Sequence, residues 1–179
     1  MFYYGVEYFV MNLMLVLFLI FSTAACQSAG TKVNGSGPLR HQDDAARAKA
    51  EALCQRLPEM KTMPFKGEPI NDEVYNGLTG LKEAAIPCLI EKITDTNRMN
   101  DPRQAPVYGD FRVGDAAFFI LLRLTKVSFE EMLPTQVRSK LEDEGVYAYF
   151  EYIEKDENRK TLQTKWRAWY DQKQIGNKQ

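Results

Sequence analysis

The feature that most limits what this chain can fold into is the spacing of its apolar residues, which recur three and four apart from residue 43 onward and never alternate convincingly. Val113, Ala116, Ala117, Ile120, Leu121 and Leu124 form one stripe, widened by Phe118, Phe119 and Leu122. A segment apolar nearly all round is expected to be the central helix. Ala46, Ala50, Leu53, Cys54 and Leu57 make a second stripe, with Asp43 and Asp44 placed to cap its start and Pro58 to stop it. The spacing predicts further helices over about 72–78 and 82–93, the latter with Pro87 in its first turn, and stripes at Val146, Tyr149, Phe150, Ile153 and at Leu162, Trp166, Trp169, Tyr170. For the two Trp and Tyr170, that spacing favours core packing over an exposed anchor. Ser128-Phe-Glu-Glu131 has the form of a capping box before a short helix ended by Pro134. The fold class is therefore all-α, with five to seven helices and no convincing strand.

The amino-terminal residues follow another rule. Phe9 to Phe21 carries no charge, and Leu13–Phe21 runs into Ser22-Thr-Ala-Ala-Cys26, an apolar core followed by small residues. This resembles the lipobox of bacterial lipoproteins, which implies that residues 1–25 are a cleaved export signal and that the Cys26 thiol carries the lipid. An uncleaved anchor is the other reading, since Phe9–Ala25 gives 17 residues, the lower limit for spanning a bilayer. Residues 26–41, rich in Gly and Ser, are expected to be a flexible tether, leaving 42–179 as a single domain. Gln27, in place of Asp, resembles the outer-membrane sorting pattern. The expected address is the bacterial envelope, facing the periplasm, the outer membrane before the inner.

Charge narrows the partners. Glu7 is the only charged side chain before Cys26, so the remainder carries 23 basic and 23 acidic groups. Nucleic acid asks for surplus Lys and Arg, and a neutral chain does not offer it. The membrane is implied only through the lipid.

Gly80–Asp95 resembles the second helix of a HEAT-type repeat, and Val113–Leu124 resembles the first helix of the next. The resemblance implies a short antiparallel helix stack that offers a surface to another protein. A plain helical bundle produces the same spacings, and both architectures remain open.

The catalytic inventory is thin. The one histidine, His41, lies beside the tether, which leaves no base for a Ser or Cys nucleophile and no ligand pairing for zinc. No metal or cofactor is expected. Cys54 and Cys88, on helix faces in an oxidising compartment, either form a disulfide or stay as two buried thiols. Thr94–Arg112, at 19 residues, is long for a connection, and such loops are often functional. Asp101, Arg103, Tyr108 and Asp110 are its candidate partner-binding residues. Asp95, Asp101, Asp110 and Asp115 could instead supply acid and base for glycan cleavage. The competing expectation has Asp115 capping the central helix and the other three solvated in turns.

The expectation is thus a non-catalytic envelope lipoprotein that binds a protein, such as an immunity protein or inhibitor of a periplasmic toxin or cell-wall hydrolase. A periplasmic glycan-processing enzyme and a structural envelope component are the alternatives.

Overall fold

The computed structural model describes residues 38–65, 70–105 and 109–176. The expected signal, Cys26 and Tyr108 lie outside them. The described residues form an all-α bundle. Its elements are α1 (Pro38–Gln55), α2 (Glu73–Leu81), α3 (Ile86–Lys92), α4 (Val113–Thr125), three single turns α5 (Phe129–Met132), α6 (Thr135–Arg138) and α7 (Leu141–Glu144), then α8 (Tyr147–Ile153) and α9 (Asp156–Gly176). The nine helices among the described residues exceed the expected five to seven, the additions being the single turns α6 and α7. Among the described residues no helix is long and apolar enough to cross a membrane.

Helix α4 is the centre, as its composition demands: Val113 through Leu121 are all buried. It packs on α2 and α3, while α9 covers α3 and α8. Rings fill the middle. Phe118 stacks on Tyr149 with centroids 4.7 Å apart, and Phe119, Phe129 and Trp166 close round the pair. Aromatic pairs of this kind add about 0.5–1.5 kcal/mol each beyond the area they bury.

Three local expectations change. Helix α1 starts at Pro38, whose fixed φ suits a first turn, so Asp43 and Asp44 lie within the helix and do not cap it, and the expected tether ends earlier than residue 41. The stretch 82–93 is broken, a 3-10 turn over Lys82–Ala85 preceding α3, because Lys82 adopts φ 52° and Pro87 opens a new helix. The Ser128 hydroxyl accepts from the Glu131 N–H at 3.1 Å, but among the described residues the Glu131 carboxylate makes no return bond to the Ser128 N–H, so only half of the expected capping box forms. Asp72, by contrast, caps α2 by accepting from the Tyr75 N–H at 3.1 Å, and Pro134 follows α5 as expected.

The sulfurs of Cys54 and Cys88 are bonded, tying α1 to α3 across 34 positions of sequence. Of the two thiol readings, the structure has the bridge. Trp166 is fully buried, with Trp169 and Tyr170 half-buried against the core, as their spacing predicts.

Candidate functional site

The long connection between α3 and α4 is ordered by a ladder that the apolar pattern did not reveal. Arg98 and Arg112 bridge, the Met99 N–H donates to the Phe111 carbonyl at 2.9 Å, and β1 (Gln104–Ala105) pairs antiparallel with β2 (Gly109–Asp110). Exposure alternates along 98–101: Arg98 and Asn100 face water, Met99 and Asp101 face the protein. That is a strand's period of two, with an aspartate in an inward position.

Asp101 is consequently not solvated in a turn. Its side chain has no exposure, and its carboxylate accepts from the Met63 N–H at 2.6 Å, the Arg103 N–H at 2.9 Å and the Arg103 guanidinium at 2.9 Å. Burial pushes its pKa up, but the Arg103 guanidinium and the two backbone donors outweigh that and hold it below the usual carboxylate value. Asp101 is a clip between the hairpin and the Pro-rich loop 58–65. It offers no face to a partner and no proton to a substrate, because every acceptor position is filled from within the chain. Arg103 remains half-exposed, its guanidinium 5.8 Å from the Phe65 ring centroid. Asp95 accepts from the Asn97 N–H and pairs with Lys92, and Asp110 pairs with Arg98 at 3.2 Å.

At the foot of the hairpin lies a cleft of about 370 Å³, bounded by Thr96, Asp110 and Arg112 on one side and Glu154 and Asp156, at the α8–α9 junction, on the other. Of the four aspartates, Asp110 and Asp115 meet here, while Asp95 and Asp101 do not. The cleft floor is charged yet closed. Asp115, 1% exposed, accepts from Arg159 at 2.8 Å, from the Tyr149 hydroxyl at 3.3 Å and from the Arg112 N–H at 2.9 Å, the last bond capping α4 as expected. Burial, and then the Asp115 charge, raise the Tyr149 phenol well above its ordinary pKa, so it stays a proton donor. Helix α4 can begin here only because residue 114 is glycine: a Cβ there would sit 2.2 Å from the Ile93 carbonyl oxygen.

The rim is different. Arg112, Glu154 and Asp156 make no ion pair among the described residues, and both acids are exposed. Among the described residues, charges of both signs without ion-pair partners thus surround a buried, internally neutralised floor. Arg112, Glu154, Asp156 and Arg159 escaped the sequence reading. For Arg159 there was a signal: it extends the buried stripe of Leu162 and Trp166 by one turn, and a cation on such a stripe must have a partner. No group of three or more His, Cys, Asp or Glu side chains among the described residues is arranged to hold a metal ion.

No protein-family model, curated protein or solved structure matches this chain. The likeness to HEAT repeats therefore rests on 80–95 and 113–124 alone; α3, which is only part of the first segment, packs against α4.

Proposed function

We propose that this chain is an envelope lipoprotein, anchored through Cys26, whose helical domain binds a protein partner at the cleft beside the hairpin. The observation that carries the reading is the rim of Arg112, Glu154 and Asp156, which make no ion pair among the described residues, over the sealed Asp115–Arg159 floor. Rim charges cost little to solvate and steer a partner of complementary pattern, whereas a fixed floor loses no order on binding. Inhibition of a periplasmic toxin or cell-wall hydrolase fits such a surface, with the lipid holding the domain where that enzyme acts.

The test is capture from envelope extracts with the detergent-solubilised full chain, run beside a variant carrying Arg112→Glu and Glu154→Lys. The proposal requires a protein retained by the first and lost from the second, with a lytic or toxic activity that the first suppresses. Identical captures, or none at physiological salt, refute it.

Asp110 and Asp115 lining one cleft is the observation that favours the glycan-processing alternative. Asp115 is already held by three donors, so Asp110 would carry the work alone. Peptidoglycan turnover that disappears in Asp110→Asn would support that alternative, and turnover absent from both chains would remove it.

A further inference from the structure

The cleft sits at the amino-terminal end of α4, and a second concavity of about 880 Å³ sits at the other end of the same helix. Lys82, Arg123, Lys126 and Lys173 line it, against two acids, Asp43 and Glu83. All four cations are exposed. None makes an ion pair among the described residues, and the Lys173 ammonium lies 5.1 Å from the Trp169 ring centroid. A chain whose net charge is -1 therefore concentrates a local surplus of two positive charges here. Lys82 and Lys126 are also the two non-glycine residues with positive φ among those described, at 52° and 60°. Glycine would take these torsions without strain, yet both positions hold cations facing the groove.

Geometry relates this groove to the chain's entry. Gln42 and Asp43, in the second turn of α1, form part of its wall, so the domain is joined to the preceding residues at this end. Helices α4 and α9 both run from the cleft to the groove. Asp115 to Lys126 spans about 16 Å and Arg159 to Lys173 about 21 Å at 1.5 Å per residue. Twelve positions separate Cys26 from Pro38, at most about 40 Å of chain. That reach exceeds the length of either helix, so the tether brings the groove within range of the bilayer, and the charges that meet the headgroups decide which end faces it.

We infer that the groove lined by Lys82, Arg123, Lys126 and Lys173 seats on anionic phospholipid headgroups, orienting the domain so that the cleft points away from the membrane. The inference rests on the lipid-anchor reading above. An acidic protein segment offers similar charge, but the groove's place at the tethered end favours the headgroups that the tether itself brings within reach. Each Lys or Arg at an anionic surface strengthens association about fivefold, so neutralising three costs on the order of 100-fold.

The experiment uses the full lipoprotein reconstituted into vesicles of phosphatidylcholine with or without phosphatidylglycerol, each containing a headgroup-nitroxide lipid. A fluorophore is attached at Glu83→Cys, beside the groove, or at Glu154→Cys, beside the cleft. The expected result is quenching at position 83 in the anionic vesicles, several-fold weaker in neutral ones and in about 1 M salt, where the Debye length is about 3 Å. Position 154 stays bright throughout. Lys82→Gln/Lys126→Gln/Lys173→Gln should restore emission at position 83 while the protein still floats with the vesicles. Equal quenching at both positions, or in both lipid mixtures, overturns the inference while leaving the anchor intact. So does competition by poly-glutamate in place of headgroup quenching, which assigns the groove to an acidic protein segment. Protein that fails to float with any vesicle overturns the anchor reading itself.

Discussion

Replacing Arg159 by methionine keeps most of the side chain's length but removes the cation paired with Asp115. The two side chains are 5% and 2% exposed, with 2.8 Å between Nη1 and Oδ1. In the variant, Asp115 keeps the Arg112 N–H and the Tyr149 hydroxyl but must hold a buried negative charge without a counter-ion. Breaking one side of a buried pair costs about 3–5 kcal/mol, a large fraction of a small domain's stability. Asp115→Asn should cost about as much for the mirror reason, since it strands the guanidinium. The double variant has neither charge, and its Asn still accepts from Arg112, so it should cost well below the sum, leaving a coupling of about 2 kcal/mol or more. Urea unfolding followed by tryptophan emission measures all four proteins, because Trp166 is fully buried in the core that must open. Additive losses, or an Arg159→Met loss below about 1 kcal/mol, would refute the reading of the cleft floor as a coupled, internally neutralised unit.

Gly114→Ala should destabilise by about 1–3 kcal/mol or more, because its Cβ meets backbone rather than a yielding side chain, and the same unfolding assay reads it. Gly80→Ala, with nothing within 4 Å of the added Cβ, is its control and should be neutral or slightly stabilising. Reducing the Cys54–Cys88 bridge, or replacing both residues by alanine, should lower stability by about 3–4 kcal/mol through the freed unfolded chain; non-reducing peptide mapping that finds two free thiols contradicts the bridge. Asp101→Asn should cost about 1–3 kcal/mol at neutral pH through its weakened hydrogen bonds. Because the folded pKa of Asp101 lies below its ordinary 3.8, its contribution is complete above that value and fades as pH falls through the lower folded value. The gap between wild type and Asp101→Asn should therefore narrow in acid, and a constant gap counts against the clip.

Much of the bundle was legible because its helices are amphipathic and punctuated. Val113–Leu124 needs burial on nearly every side, and Pro58 and Pro134 remove donors where helices end. The α1 start was misplaced because Asp43-Asp44 looks like a cap, although the helix begins a turn earlier at Pro38 and runs through the pair into the Ala-rich stretch that follows. The hairpin was invisible for another reason: its buried alternation is Met99 then Asp101, and a carboxylate does not register as a core residue until its donors, Met63 and Arg103, are seen beside it. Sites suffer most from this. The cleft joins residues 96, 110–115 and 150–159, and no spacing rule connects a hairpin foot to the junction of two later helices. Arg159 was the one member that local pattern could have exposed. The groove at Lys82, Arg123, Lys126 and Lys173 was hidden by the near balance of charge over the chain, net -1, which averages its surplus away.

Both the proposed partner face and the inferred membrane face presuppose that Cys26 anchors the chain. Intact-mass measurement of the protein extracted from membranes tests this directly. The account predicts a polypeptide beginning at Cys26, without residues 1–25 and heavier by a diacylglyceryl group. A chain that retains Met1–Ala25, or that begins at Cys26 with no added lipid, contradicts it.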